Sequence, residues 1–146
     1  MPSQGSIHYG HCELYVQICY PGDDGAIHWM IVMKYTGADR GTRLHSIGYK
    51  GHRTLAIEPG KRFDSQSVEH THYLGRIHEA DSGIVIQEAE KIPLQSCQLW
   101  ACYLLLRLER KRRLPKGTYD HYMNCYRHRR DEDYGPGDDQ CPVHGH

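Results

Sequence analysis

Apolar and polar positions first fall into a regular pattern at residues 12–20 (CELYVQICY), which mix β-branched and aromatic side chains and stop at Pro21-Gly22-Asp23-Asp24-Gly25. That pattern predicts a strand followed by a tight loop. Residues 27–35 (IHWMIVMKY) are an almost unbroken apolar run, which suits a central strand covered on both faces. After a turn at 36–41, TRLHSIGY (42–49) and RTLAIE (53–58), joined by Lys50-Gly51-His52, predict two shorter strands in an antiparallel meander. Residues 59–71 are polar and headed by Pro59-Gly60, the pattern of a specificity loop, and HYLGRIH (72–78) returns to strand character with Gly75 as a candidate bulge.

Helical spacing takes over in the second half. Asp81-Ser82 is a candidate cap for a short helix to about residue 91, ended by Pro93. From Ser96 the run CQLWACYLLLRLERKRR combines good helix formers with a candidate N-cap and a cationic end that complements the helix dipole. Trp100, Ala101, Leu104, Leu105 and Leu108 share one face, while Leu99, Tyr103 and Leu106 widen it, so this helix is expected to be buried on more than one side. Beyond Pro115 the chain is rich in Gly, Asp, Arg and His and is expected to add little core. The fold class predicted is α+β: an antiparallel sheet of about five strands against a main C-terminal helix and a shorter one. One domain over residues 1–114 and a polar tail over 115–146 complete the expectation.

Composition narrows the function classes. The 146 residues hold 18 Lys plus Arg and 18 Asp plus Glu, a formal charge of zero, so no overall basic field draws in nucleic acid or a membrane. Twelve histidines make the charge climb as pH falls below about 6.5. The six cysteines (Cys12, Cys19, Cys97, Cys102, Cys125, Cys141) form no dense framework, and residues 1–10 lack an apolar stretch; reduced thiols in the cytoplasm are therefore expected. The longest mainly apolar run, 99–106, is far short of the roughly 20 residues that span a bilayer.

A cysteine in the first turn of a helix has backbone N–H groups and the dipole to stabilise its thiolate, and Cys97 follows the cap candidate directly. A nucleophilic thiol also needs a base. His28 opens the most apolar strand, with Trp29 beside it to shield a site from water, and His45 on the next strand is placed to orient His28 or to serve as a second polar partner. Taken alone, Cys97 reads first as a buried structural thiol.

The pieces GAIHWMIVMKYTG, RLHS and SCQLWACYLLLRL, in that order, resemble the permuted papain-like proteins of the lecithin retinol acyltransferase and phospholipase/acyltransferase type. They are also similar to small fungal domains with a His-Trp strand and a cysteine-led helix. The resemblance covers roughly residues 12–113 through three short motifs. It implies a circularly permuted papain-like fold with Cys97 as nucleophile, His28 as general base and His45 as third polar member, and with Trp29, Gln98 and Trp100 binding or shielding substrate. Ser96 stands where the family has Asn, and His28 and His45 lie 17 residues apart, wider than the family's tight hairpin. The activity implied is acyl transfer or hydrolysis of an amide, ester or thioester, on a small-molecule or peptide substrate, with no cofactor. A non-hydrolytic cyclase or isomerase using the same dyad, and a binding module that has lost the reaction, are the alternatives.

Two other chemistries compete. His8, His11 and Cys12, and again Cys141, His144 and His146, supply zinc-type ligands without full zinc-finger spacing. Residues 107–113 (RLERKRR) and 119–130 could meet phosphates, but a solvated helix end explains the first, and the zero net charge disfavours nucleic acid as principal partner.

Overall fold

A computed structural model describes residues 10–23 and 25–133, with side chains through residue 126. Five strands, β1 (His11–Cys19), β2 (Trp29–Tyr35), β3 (Arg40–Tyr49), β4 (His52–Arg62) and β5 (Val68–His78), are followed by a 3-10 turn (Glu79–Asp81) and by helices α1 (Ser82–Glu90), α2 (Cys97–Arg110) and α3 (Thr118–Asp133). The strands form one antiparallel sheet in the order β4-β3-β2-β1-β5. The architecture is thus α+β. The first four strands form the expected meander, and β5 returns to the far side of β1.

The period-2 pattern explains which face the helices cover. Leu14, Val16, Trp29, Ile31 and Leu44 are buried in one cluster with the α2 side chains, and the register sets Val16 opposite Ile31 and Ile31 opposite Leu44. Met30 and Val32, pointing the other way, are each only 2% exposed, so β2 is covered on both faces as its apolar run predicts. The cover on the second face comes from curvature. Gln17, opposite Met30, donates to the Phe63 carbonyl at 3.0 Å, and the Phe63 ring meets Tyr15 edge-on at 4.6 Å. Phe63 directly follows β4, three strands away from β1, so the sheet curls and is concave on the side away from the helices.

Three expectations change. The polar stretch 59–71 is mostly strand: β4 runs through Pro59-Gly60 to Arg62 and β5 starts at Val68. Proline is tolerated there because β4 is an edge strand and the missing N–H faces outward; the ladder slips between Gly41 and Arg43 to absorb the pair. The β1–β5 ladder has two more irregularities, one between Ile18 and Cys19 and one between Leu14 and Tyr15 that leaves Leu74, next to the expected Gly75, unopposed. The chain beyond Pro115 contributes α3, whose Tyr119, Tyr122, Met123 and Tyr126 are buried in the core. Tyr119 stacks on Tyr103, and Tyr122 meets Trp29 edge-on.

Helix α2 is buried almost all round, from Cys97 to Leu106 and again at Leu108. Ser96 occupies its N-cap without a side-chain capping bond, and Arg107 and Arg110 lie in its last turn. Glu88 ties α1 to α2: its carboxylate accepts from Arg107 Nε at 2.8 Å and Lys91 Nζ at 2.9 Å, with Lys111 Nζ at 3.8 Å. Burial alone would raise its pKa, but these hydrogen bonds and charges hold it below the usual carboxylate range. Among the described residues, no helix is long and apolar enough to cross a membrane.

Candidate functional site

His28 lies one residue before β2, and its ring reaches across to β3. Nε2 of His28 and Nδ1 of His45 are 2.6 Å apart, with the rings in an edge-to-face arrangement. Behind them, His45 Nε2 is 2.9 Å from Glu58 Oε1 on β4. His45 pairs with Ala56, and Arg43 with Glu58, across β3–β4. Strand alternation therefore places Arg43, His45, Ala56 and Glu58 on the concave face, opposite Leu44 and Ser46, whose hydroxyl donates to the Gln95 carbonyl on the helix side.

The hydrogen bonds assign the protons along this chain. A carboxylate only accepts, so His45 Nε2 carries the proton that goes to Glu58. Nδ1 of His45 is then an acceptor, and His28 Nε2 is the donor. The nitrogen left with a lone pair is His28 Nδ1. Burial pushes the His28 imidazole down to about 4, helped by the neighbouring His45 and by Arg43, while Glu58 opposes the fall. Burial also lowers His45, against the pull of its bond to Glu58. The bond from His45 is the main reason that Glu58 sits below the ordinary carboxylate range. Both rings are accordingly neutral near pH 7, the state in which an imidazole accepts a proton.

Cys97 approaches from the helix side. Its Sγ lies 3.7 Å from the Ile27 carbonyl oxygen, which also accepts from Gln98 Nε2 at 2.9 Å. The start of α2 thus grips the peptide that leads into His28. Cys97 is buried, and Gln98 and Trp100 are fully so. Trp29 and Trp100 belong to the packed core. The structure therefore brings His28 and His45 together and sets Cys97 and Gln98 against the backbone beside them. Glu58 was not singled out by sequence. It ends the apolar stretch RTLAIE like any strand-terminal charge, and only the β3–β4 register turns it into the partner of His45.

The alternative ligand clusters divide. His11 and Cys12 are on β1, with Cys12 turned into the core; His8, Cys141, His144 and His146 lie outside the described residues. A cavity of about 310 Å³ opens at the far end of β2 and β3, against Met33, Tyr35, Gly41, Thr42 and Pro59. None of His28, His45, Glu58 and Cys97 lines it. No known protein family, curated protein or solved structure matches the chain.

Proposed function

We propose that the chain is a cysteine-dependent acyl-transfer enzyme or hydrolase, in which His28 is the base for Cys97 and His45 and Glu58 are positioning residues. The observation that carries this reading is the chain of hydrogen bonds from Glu58 through His45 to His28, which leaves one basic nitrogen on a ring fixed in place. In the reaction, Cys97 gives its proton to His28 Nδ1 as its sulfur attacks the acyl carbonyl of an amide, ester or thioester. Backbone N–H groups in the first turn of α2 receive the oxyanion. Collapse of the tetrahedral species returns the proton from His28 to the leaving group, and water or another acceptor, deprotonated by the same imidazole, releases the acyl group. The order of the His-Trp strand, second histidine strand and cysteine-led helix supports a permuted papain-like arrangement, and a cytoplasmic setting suits a free thiol.

A second reading is a cyclase or isomerase that uses the imidazole chain for proton transfer without a covalent step. What favours it is that the Cys97 thiol rests against the Ile27 carbonyl on the helix side while the histidines occupy the concave face. Iodoacetamide labelling of Cys97 across pH, in wild type and His28→Ala, separates the two. The thiol reading expects labelling near neutral pH to fall by about tenfold or more in the variant, within the range of base catalysis. Labelling that ignores His28, in a variant that keeps its fold by circular dichroism, overturns it.

A further inference from the structure

Arg43 stands two residues before His45 on the same concave face, opposite Val32 on one side and Glu58 on the other. Glu58 is its cross-strand neighbour and the obvious carboxylate for an ion pair, yet Glu58 is bonded to His45. The Arg43 side chain makes no hydrogen bond or ion pair with any described residue, and its Nε is buried without an acceptor. Other arginines of the fold have their partners: Arg40 the Gly60 carbonyl, Arg53 the Gln95 carbonyl and Arg107 the Glu88 carboxylate. A buried donor left without a partner costs about 1–3 kcal/mol, and because the rest of this half-buried side chain is open to solvent, an acceptor from outside the chain can meet the guanidinium beside the histidine pair. The charge lies close enough to act on His28, His45, Glu58 and Cys19 alike. Lys61 adds a second positive charge near His45 and Glu58.

We propose that Arg43 is an oxyanion subsite: the molecule presented to His28 carries a carboxylate or phosphate group that the Arg43 guanidinium takes. A planar guanidinium fork matches either group with two parallel hydrogen bonds. With His28 and His45 neutral and Glu58 already bonded to His45, the Arg43 guanidinium, helped by the charge of Lys61, fixes the orientation of such a group. The inference rests on the reading of His28 as the reacting base and names the kind of substrate that base receives.

The test follows the ring signals of His28 and His45 by NMR at pH 7.5 and constant ionic strength, titrating separately with sodium acetate and inorganic phosphate. The expectation is a saturable shift of both rings with at least one of the two anions, weakened by about tenfold or more in Arg43→Gln and unchanged in Arg110→Gln. Which anion saturates at the lower concentration identifies the group. Arg43→Lys, which keeps the charge and the fold but loses the fork, is expected to bind more weakly than wild type. Shifts that never saturate, or equal affinity in wild type and both Arg43 variants, overturn the proposal. Cys97→Ser is expected to leave the titration intact, so loss of thiol chemistry and loss of anion capture are read separately.

Discussion

The His28 and His45 rings share a single hydrogen bond of 2.6 Å, and the carboxylate of Glu58 fixes which of them is the donor. Replacing Glu58 by Gln removes the charge that pulls both imidazoles upward. NMR titration of Glu58→Gln should therefore show His45 and His28 protonating at lower pH than in wild type. An upward movement, or none, would show that Glu58 does not govern the pair.

Stability should depend on the same rings. His28 is held near 4 in the folded state against about 6.5 when unfolded, so between these values the unfolded chain binds more protons. Its contribution is present above pH 6.5 and is lost as pH falls toward 4. His45, lowered as well, acts with the same sign. The loss assigned to His28 is on the order of 2 kcal/mol. Urea midpoints at pH 7 and pH 4.5 check it: His28→Gln should flatten the dependence, and an undiminished slope would assign it elsewhere.

Glu88 is 2% exposed and faces three cations. Glu88→Ala leaves Arg107, Lys91 and Lys111 without their common counter-charge and opens space between α1 and α2. A loss of about 2–4 kcal/mol is expected in chemical denaturation. A change below about 0.5 kcal/mol would mean that the cluster is no more than a solvated surface network.

Tyr126, 2% exposed, anchors the last described turn of buried side chains on α3. Tyr126→Ala should cost about 3 kcal/mol, as for other large buried rings. Thermal unfolding that hardly moves would show that α3 is dispensable to the core.

Gly48, paired with Arg53 just before the Lys50-Gly51 turn into β4, has φ of +101°, and a side-chain carbon there would collide with the His52 carbonyl oxygen. Gly48→Ala is expected to lose more than about 2 kcal/mol through both strain and collision. Because the β3–β4 register carries Glu58 to His45, the same variant should also disturb the His45 ring signals. A variant as stable as wild type would contradict this hairpin geometry.

Much of the fold is legible in the sequence because burial imposes a period. Val16, Ile31 and Leu44 announce the helix-facing side of the sheet, and Leu104, Leu105 and Leu108 announce α2. The polar stretch around Pro59 and His70 reads as a loop because both segments lie on edge strands, where few positions are buried and the period fades. In α3 the spacing of Tyr119, Tyr122, Met123 and Tyr126 is helical, but tyrosines spread among charges carry a weaker apolar signal than leucines do. At the site, His28, His45 and Cys97 stand out by residue type and by the elements they begin or sit on. Glu58 and Arg43 acquire their significance only from cross-strand register, which the hairpin around Lys50-Gly51 sets and which no single segment encodes.

Strand β1 lies between β2 and β5, so its outer edge is completed by residues up to His78. A nascent chain leaving the ribosome can zip the first four strands together while that edge, with Leu14 and Val16, still lacks both its neighbour and the helices that follow. Pairings this distant in sequence slow folding. Until synthesis has passed α2, the half-built sheet offers an open ladder to other chains, and a holding chaperone or dilute conditions would most improve the yield during that interval.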